Sequence, residues 1–584
     1  MPSGVVDQLR ENRCMTTATK TTPSPRPAGP QSAQEAPRYK VSVVIPTYNT
    51  GETILTGLAA LRAQSMPREE FEVVYVDDGS TDGTPDLLEE ALADEPSMRL
   101  IRADNSGWPG RPRNLGTAAA HGEYVHYVDD DDWLAPKALE KLYARARETG
   151  ADIVAGRMAG HGRGAPRAPF ARPMAAGTFR QDAVLTGTMT VHKLFRTSFL
   201  RRHALSFPEG RVRLEDHIFM LRAYLLAERV ATVHDYTCYH WVRHTGGQHN
   251  ISYRRIDPHP YLASIRSVLA VLDAPDTRVA DGPVRRRLIA NWYGNKALKR
   301  LTGKRLVGLP DEERAQWYSA VCALAADLPP EVDAHLPVRL RVVSALARYG
   351  DHGLLDRFAS FEADVAQEPH LEAAQWVEGA LKVEATTRLV HRGRAGERPD
   401  PVLFVRSERP DGTPRYHWHL PAELARVPGI DAASDFTAAV ARARVAPLLR
   451  HRRGRTELLV RADSSVEEVP VATAQDDGTH LVELRFRTVA AVDPRTADAG
   501  RKLASGAWDV LLRLSACGWL SAPRLAGLTV HGPGRAPLTR RRRALTWAAA
   551  TCHRLLPPRG YALARMLYRV VTRHRVVTRR KATA

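Results

Sequence analysis

Cysteine is scarce in this chain of 584 residues, and the five present (Cys14, Cys238, Cys322, Cys517 and Cys552) include no CxxC pair. That scarcity excludes a disulfide-stapled scaffold and a thiolate zinc site, and it fits a reducing, cytoplasmic setting. Long apolar runs are also missing, so no window of sequence is long enough to cross a bilayer. The first 38 residues, rich in Thr, Ser, Pro, Ala and Gln, lack the apolar core of a secretion signal and read as a disordered leader. Neither GxxxxGK[ST] nor GxGxxG follows a predicted strand. A nucleotide bound by this chain would therefore rely on carboxylates and a metal ion rather than on a glycine cradle. At this length the chain has room for two to four domains, each with its own core.

Acidic residues are missing from one place in particular. Positions 535–584 hold fourteen Lys and Arg and no Asp or Glu. Without that tail, 70 basic side chains stand against 65 acidic ones, so the net charge of +19 falls to +5. The basicity is thus local. Leu545, Ala548, Ala549, Cys552 and Leu555 form one apolar stripe at helical spacing, and Leu563, Met566, Leu567, Val570 and Val571 form another. Arg565, Arg569 and Arg573 lie opposite the second stripe. Basic amphipathic helices of this kind suit an anionic membrane surface, lying in the interface without crossing it. A nucleic-acid arm would use the same charges but leave the stripes without a role, so no nucleic-acid partner is expected.

What is present is a strand and helix alternation from Tyr39 to about residue 245. Val41 to Ile45, Phe71 to Val76, Met98 to Arg102 and Tyr124 to Val128 read as buried strands, with helices between them. Alternation predicts an α/β domain with a mostly parallel sheet, and ligands on such sheets bind at the carboxyl ends of the strands. Three polar clusters fall at those ends: Pro46-Thr47-Tyr48-Asn49, Asp77-Asp78-Gly79-Ser80, and the four carboxylates Asp129, Asp130, Asp131 and Asp132 followed by Trp133. Each has a plain reading as a turn or a helix cap. Four stacked carboxylates nonetheless repel one another unless a cation lies between them, and a hard divalent ion that also grips a diphosphate satisfies them.

These three motifs resemble family 2 glycosyltransferases of the GT-A fold, over about residues 39–254. Asn105-Ser106-Gly107-Trp108-Pro109-Gly110-Arg111-Pro112-Arg113-Asn114 and Arg213-Leu214-Glu215-Asp216-His217 narrow the resemblance. They point to the branch that glycosylates wall teichoic acid, the poly(ribitol-phosphate) N-acetylglucosaminyltransferases. The resemblance implies a UDP-sugar donor, a polyol-phosphate or similar wall polymer as acceptor, and a divalent metal, Mn²⁺ or Mg²⁺. Carried onto this sequence, it puts Pro46, Tyr48, Asp77, Asn105, Arg113, Asp129, Asp130 and Glu215 at the donor site. Asp131 becomes a metal ligand, with His249 the second and His244 its rival, and Asp216 becomes the catalytic base. The chemistry agrees: inversion needs a carboxylate to take the acceptor proton and a positive charge on the leaving diphosphate. As an N-cap before an apolar helix, Asp216 also has a bland reading.

The remaining chain divides at composition changes. Residues 258–374 are expected to be a helical linker region, with Trp292, Trp317 and Tyr318 in its core. Residues 375–534 read as short strands of a β-sandwich-like module, with oligomerisation as its leading role. The expected layout is therefore a leader (1–38), a nucleotide-sugar-binding, Rossmann-like GT-A domain (39–257), the linker, the β-rich region, and the basic amphipathic tail (535–584). The reading that follows is a membrane-peripheral hexosyltransferase at the inner face of the membrane. The rival is a non-catalytic wall-polymer or membrane-binding scaffold with a decayed transferase domain.

Overall fold

The computed structural model describes residues 37–243, 255–393, 398–453, 457–471, 479–497 and 502–530. His244, His249 and the tail from 535 onward lie outside the described residues. The chain divides into two compact units, one reaching Arg254 and including Pro275–Thr277, the other taking the rest. Among the described residues no helix is long and apolar enough to cross a membrane.

The first unit is built on one eight-stranded sheet. Its strands are β1 (Tyr39–Thr47), β2 (Phe71–Asp78), β3 (Met98–Ala103), β4 (Gly122–Tyr127), β5 (Trp133–Leu134), β6 (Ile153–His161), β7 (Lys193–Arg196) and β8 (Val230–Val242). They lie in the order β3-β2-β1-β4-β7-β6-β8-β5. The first four are parallel, β7 runs against both its neighbours, and β6 is parallel to β8. Because β7 reverses twice, β6 and β8 point the same way as β1, β2 and β4. All five therefore end at one edge.

The sequence explains this sheet. Every residue of β2 is buried, the continuous burial typical of a parallel strand covered on both faces. Helices α1 (Ile54–Arg62), α2 (Thr84–Leu92), α3 (Gly110–Ala118), α4 (Ala138–Thr149), α5 (Thr197–Arg202) and α6 (Glu215–Leu226) pack around it. Gly116 lets α3 lie close to the sheet: a Cβ there would meet Val44 Cγ1 at 2.4 Å and Val76 Cγ2 at 3.2 Å. Helix α3 begins at Gly110, whose α-carbon faces Pro208 so closely that a Cβ would lie 2.2 Å from its carbonyl oxygen. Away from the carboxyl edge, Glu72 is fully buried. It accepts hydrogen bonds from the Ser42 hydroxyl, the His121 amide and Arg99. A buried carboxylate persists only when satisfied in this way.

The second unit begins with helices Pro258–Ala270, Pro283–Trp292, Asp311–Asp327, Val338–Tyr349 and His352–Ala363. Trp292, Trp317 and Tyr318 are buried, as expected. The expectation of helix through residue 374 is corrected: Val365–Val377 is a strand, paired antiparallel with Ala380–His391. Ala, Gln and Glu in that segment favour helix locally, and cross-strand pairing overrides them. The hairpin turns at Glu378 and Gly379, both with positive φ, the conformation of a two-residue primed turn. Seven-stranded and five-stranded sheets follow. Leu381, Val383 and Val492 of the first share a buried cluster with Leu449, Trp508 and Val510 of the second. That is one sandwich, stabilised by apolar burial between its faces.

Candidate active site

The carboxyl edge of the sheet is laced together by side-chain hydrogen bonds. Asp78, 5% exposed at the end of β2, accepts from the Ser106 amide at 2.9 Å, the Ser106 hydroxyl at 2.7 Å and the Gly107 amide at 3.2 Å. Asn105 Nδ2 donates to the Asp78 carbonyl at 2.7 Å. Gly79 (φ +69°) is required here, since a Cβ would lie 2.7 Å from the Asn105 amide nitrogen. Asp77 accepts from the Ser80 amide at 3.0 Å, and the Ser80 hydroxyl in turn accepts from the Asn49 amide at 2.9 Å. Pro46 sits in register with Val76, so the loops after β1 and β2 leave the sheet side by side. The Tyr48 amide donates to Asp130 Oδ2 at 3.3 Å, and the Thr50 hydroxyl donates to the same oxygen. Sequence positions 46–50, 77–80, 105–107 and 130 are thus one contiguous polar surface.

Arg113, on α3 and 5% exposed, is the hinge of the arrangement. It donates to Asp129 Oδ1 at 3.0 Å and to Glu215 Oε1 at 3.1 Å. Burial opposes its charge, but Asp129, Glu215 and Asp216 outweigh that and hold it firmly protonated. Trp108 Nε1 donates to the other oxygen of Glu215 at 3.0 Å. The two motifs that narrowed the resemblance, about a hundred residues apart, are therefore joined directly. Arg113 is occupied by two carboxylates, a more specific placement than lining a nucleotide site.

The acidic run carries more negative charge than its burial tolerates. Asp130 is pushed up to about 7 by burial and by Asp131, while Asp132 is pushed up to about 8 by burial, Asp129 and Asp131. Asp132 accepts from the Tyr239 hydroxyl and the Val242 amide, each at 2.7 Å. Ligand atoms of Asp129, Asp132 and His192 lie within 4.8 Å of one another, a group able to hold a cation among the described residues. His192 Nε2 is 3.5 Å from Asp129 Oδ2, and its ring stacks on Tyr239 at 4.3 Å. Burial holds His192 well below its ordinary value, at about 4, leaving the neutral imidazole that a metal requires. The group differs from the expected pair: Asp131 is not part of it, and His249 and His244 lie outside the described residues. His192 was not anticipated. The signal for it is the polar pair His192-Lys193 at the entry to the short strand β7.

The turn that carries Asp216 is strained. Leu214, immediately before α6, adopts φ 61° and ψ 27°, a left-handed conformation costing roughly 1–2 kcal/mol for a residue with a Cβ. The turn presents Glu215 buried and Asp216 half-buried at the start of the helix. Burial and the neighbouring Asp216 push Glu215 up to about 7. Beneath it, Lys193 is 1% exposed; burial drives it down to about 7 against the pull of Asp216. Asp216 thus stands among one guanidinium, one buried amine and one competing carboxylate, with an exposed side. A carboxylate so placed can accept a proton from an incoming hydroxyl.

Comparisons with known proteins identify the class. Residues 42–206 match the family described as Glycosyl transferase family 2, and residues 258–359 match the Glycosyl transferase TarS linker domain. The chain therefore carries a family 2 glycosyltransferase domain followed by a TarS linker domain. One relative is the poly(ribitol-phosphate) beta-glucosyltransferase of Bacillus spizizenii, 29% identical over 60% of this chain and 57% of that protein. Another is the poly(ribitol-phosphate) beta-N-acetylglucosaminyltransferase TarS of Staphylococcus aureus, 28% identical over 59% of each. The chain thus spans 57% and 59% of the length of these curated relatives. A crystal structure of S. aureus TarS 1–349 in complex with UDP-GlcNAc, 26% identical, covers 62% of this chain and 99% of its own, with a TM-score of 0.49.

Proposed function

We propose that this chain is an inverting glycosyltransferase that moves a sugar, GlcNAc-type favoured, from a UDP-sugar to a hydroxyl of a polyol-phosphate wall polymer such as teichoic acid. The observation that carries this reading is the Arg113 bridge, which ties Asp129 of the acidic run to the strained turn bearing Asp216. The acceptor class is supported by the relatives, which are poly(ribitol-phosphate) glycosyltransferases. Asp216 takes the proton of the acceptor hydroxyl as that oxygen attacks the anomeric carbon, on the face opposite the leaving diphosphate. Glu215 and Arg113 fix the turn, and the surface formed by Pro46, Tyr48, Asp77 and Asn105 receives the nucleoside end of the donor. Asp129, Asp132 and His192 suit a Mn²⁺ or Mg²⁺ ion, with Asp131 the candidate that the family pattern adds. Such an ion supplies Lewis-acid neutralisation of the diphosphate as it leaves.

The basic, doubly amphipathic tail supports a peripheral position at the inner face of the cell membrane, where a lipid-linked wall polymer is within reach. The β-rich region is the part best suited to self-association. The test of the activity is a screen of nucleotide-sugars for metal-dependent release of the nucleotide diphosphate by purified protein. Release from UDP-GlcNAc or UDP-glucose supports transfer, and inertness toward every donor would leave a non-catalytic scaffold.

A further inference from the structure

A second cluster on the same sheet edge has no part in the scheme above. Trp133 follows the acidic run and stacks on His240, with ring centroids 5.2 Å apart and planes within 9° of parallel. His161 lies 4.9 Å from Trp133 and 5.1 Å from His240, and its Nε2 shares a 2.9 Å hydrogen bond with His240 Nδ1. The Arg163 guanidinium covers the Trp241 ring at 3.3 Å. His161 is exposed, and Trp133, His240 and Trp241 are half-buried.

A hydrogen bond between two imidazoles needs one ring to donate and the other to accept. The neutral pair therefore turns one N–H and one bare nitrogen outward, and gaining a proton adds a second outward N–H together with a positive charge. Burial and His161 hold His240 below its ordinary value, and a bound anion is the ligand that would offset this by favouring the charged form. Packing of the β5, β6 and β8 edge alone would explain the stack, but not the hydrogen-bonded imidazole pair, one residue along β8 from the Trp241 ring that Arg163 covers. Position favours a ligand as well. The Val242 amide and Tyr239 hydroxyl of β8 bond to Asp132, so the strand bearing His240 and Trp241 is pinned to the acidic run. Arg163 is near enough to help hold Asp129 charged. In the sheet order, β6, β8 and β5 lie across β4 from β1, β2 and β3, whose loops form the surface assigned to the nucleoside.

We propose that Trp133, His161, Arg163 and His240 form a phosphodiester subsite for the acceptor polymer, resting on the acceptor reading given above. The imidazole pair and Arg163 take one phosphate of the polymer, and the Trp133 ring covers the adjoining polyol carbons. This subsite holds the chain one or more units from the hydroxyl that reacts, so that binding at the phosphate brings the next hydroxyl to Asp216.

The experiment is calorimetric binding of a short polyol-phosphate oligomer to the full chain, with and without saturating UDP and Mn²⁺. His161→Gln with His240→Gln is compared with wild type, and Trp133→Leu serves as a second variant; thermal melting monitored by circular dichroism verifies that each is folded. We expect the double variant to bind the oligomer at least about tenfold more weakly, the scale of one lost charge-assisted hydrogen bond. We expect Trp133→Leu to weaken it too, and UDP to leave wild-type binding in place. Equal binding by folded double variant and wild type would overturn the subsite, as would displacement of the oligomer by UDP, which would put the phosphate in the donor's diphosphate pocket. A wild-type protein that ignores the oligomer while hydrolysing a UDP-sugar would overturn the acceptor class and the subsite together, leaving sugar transfer standing.

Discussion

Arg113 donates to Glu215 across 3.1 Å, joining the first turn of α3 to the first turn of α6 over 102 residues of sequence. The same guanidinium holds Asp129. Removing one partner from a buried ionic group leaves uncompensated charge, which costs about 3–5 kcal/mol. Arg113→Ala is therefore expected to lose stability on that scale in urea unfolding. Arg113→Lys keeps the charge but cannot bridge two carboxylates. It should retain most of the stability and lose most of the turnover. An Arg113→Ala protein as stable and active as wild type would remove the bridge from the account.

Glu215 and Asp216 share one positive neighbour, and this sets a pH dependence. The carboxyl of Glu215 is raised from 4.5 to about 7 in the fold by burial and by Asp216. Between those values the folded state keeps a proton that the unfolded chain has released. The contribution of Glu215 to stability is thus full below about 4.5 and is lost as pH rises through about 7. Glu215→Gln should flatten that slope. Asp216→Asn should bind donor nearly normally and turn over at least roughly a hundredfold more slowly, since proton abstraction matters in the transition state. Wild-type turnover in Asp216→Asn would assign the base elsewhere, with Glu215 the first candidate.

The cation group distinguishes two ligand sets. If His192 is a ligand beside Asp129 and Asp132, His192→Gln should weaken Mn²⁺ binding about 10–100-fold, read by electron paramagnetic resonance without substrate. Asp131→Asn, the substitution singled out by the family pattern, should nearly abolish transfer and weaken donor binding only when metal is present. Unchanged Mn²⁺ affinity in His192→Gln would return the nitrogen ligand to the segment that contains His244 and His249.

Much of the edge was legible because parallel strands of this chain end in acidic clusters. Asp77-Asp78 and Asp129 to Asp132 follow apolar runs, and strand polarity alone then brings them together. His192 and Lys193 were not legible in the same way. Lys193 opens the short strand β7 and His192 immediately precedes it, and only the antiparallel placement of β7 beside β4 brings His192 to Asp129. The partnership of Trp108 with Glu215 is equally non-local. The strain at Leu214 is invisible in sequence because leucine is no marker for a left-handed turn, unlike Gly79. In the second unit, the strand Val365–Val377 reads locally as helix, and the signal that survives is Glu378-Gly379 at its turn.

The tail offers a prediction from sequence alone. Burying its apolar stripes at a lipid interface gains roughly 25 cal/mol per Å² removed from water, and attraction to anionic headgroups adds to this but is screened by salt. Truncation after Gly534 should release the protein from anionic vesicles and leave transfer to a soluble acceptor fragment intact. High salt should weaken full-length binding only in part. A full-length protein that ignores anionic vesicles yet retains duplex DNA would replace the membrane reading with a nucleic-acid arm.

The central claim is metal-assisted, inverting transfer to a polyol-phosphate acceptor. The most direct measurement is release of UDP from UDP-GlcNAc by the full chain with such an acceptor present, in Mn²⁺ and in excess chelator, with the product anomer assigned by NMR. The account predicts release that requires both acceptor and metal, and a glycosidic bond of the anomer opposite to the donor's. Equal release in chelator, or a product that retains the donor's anomer, would contradict it.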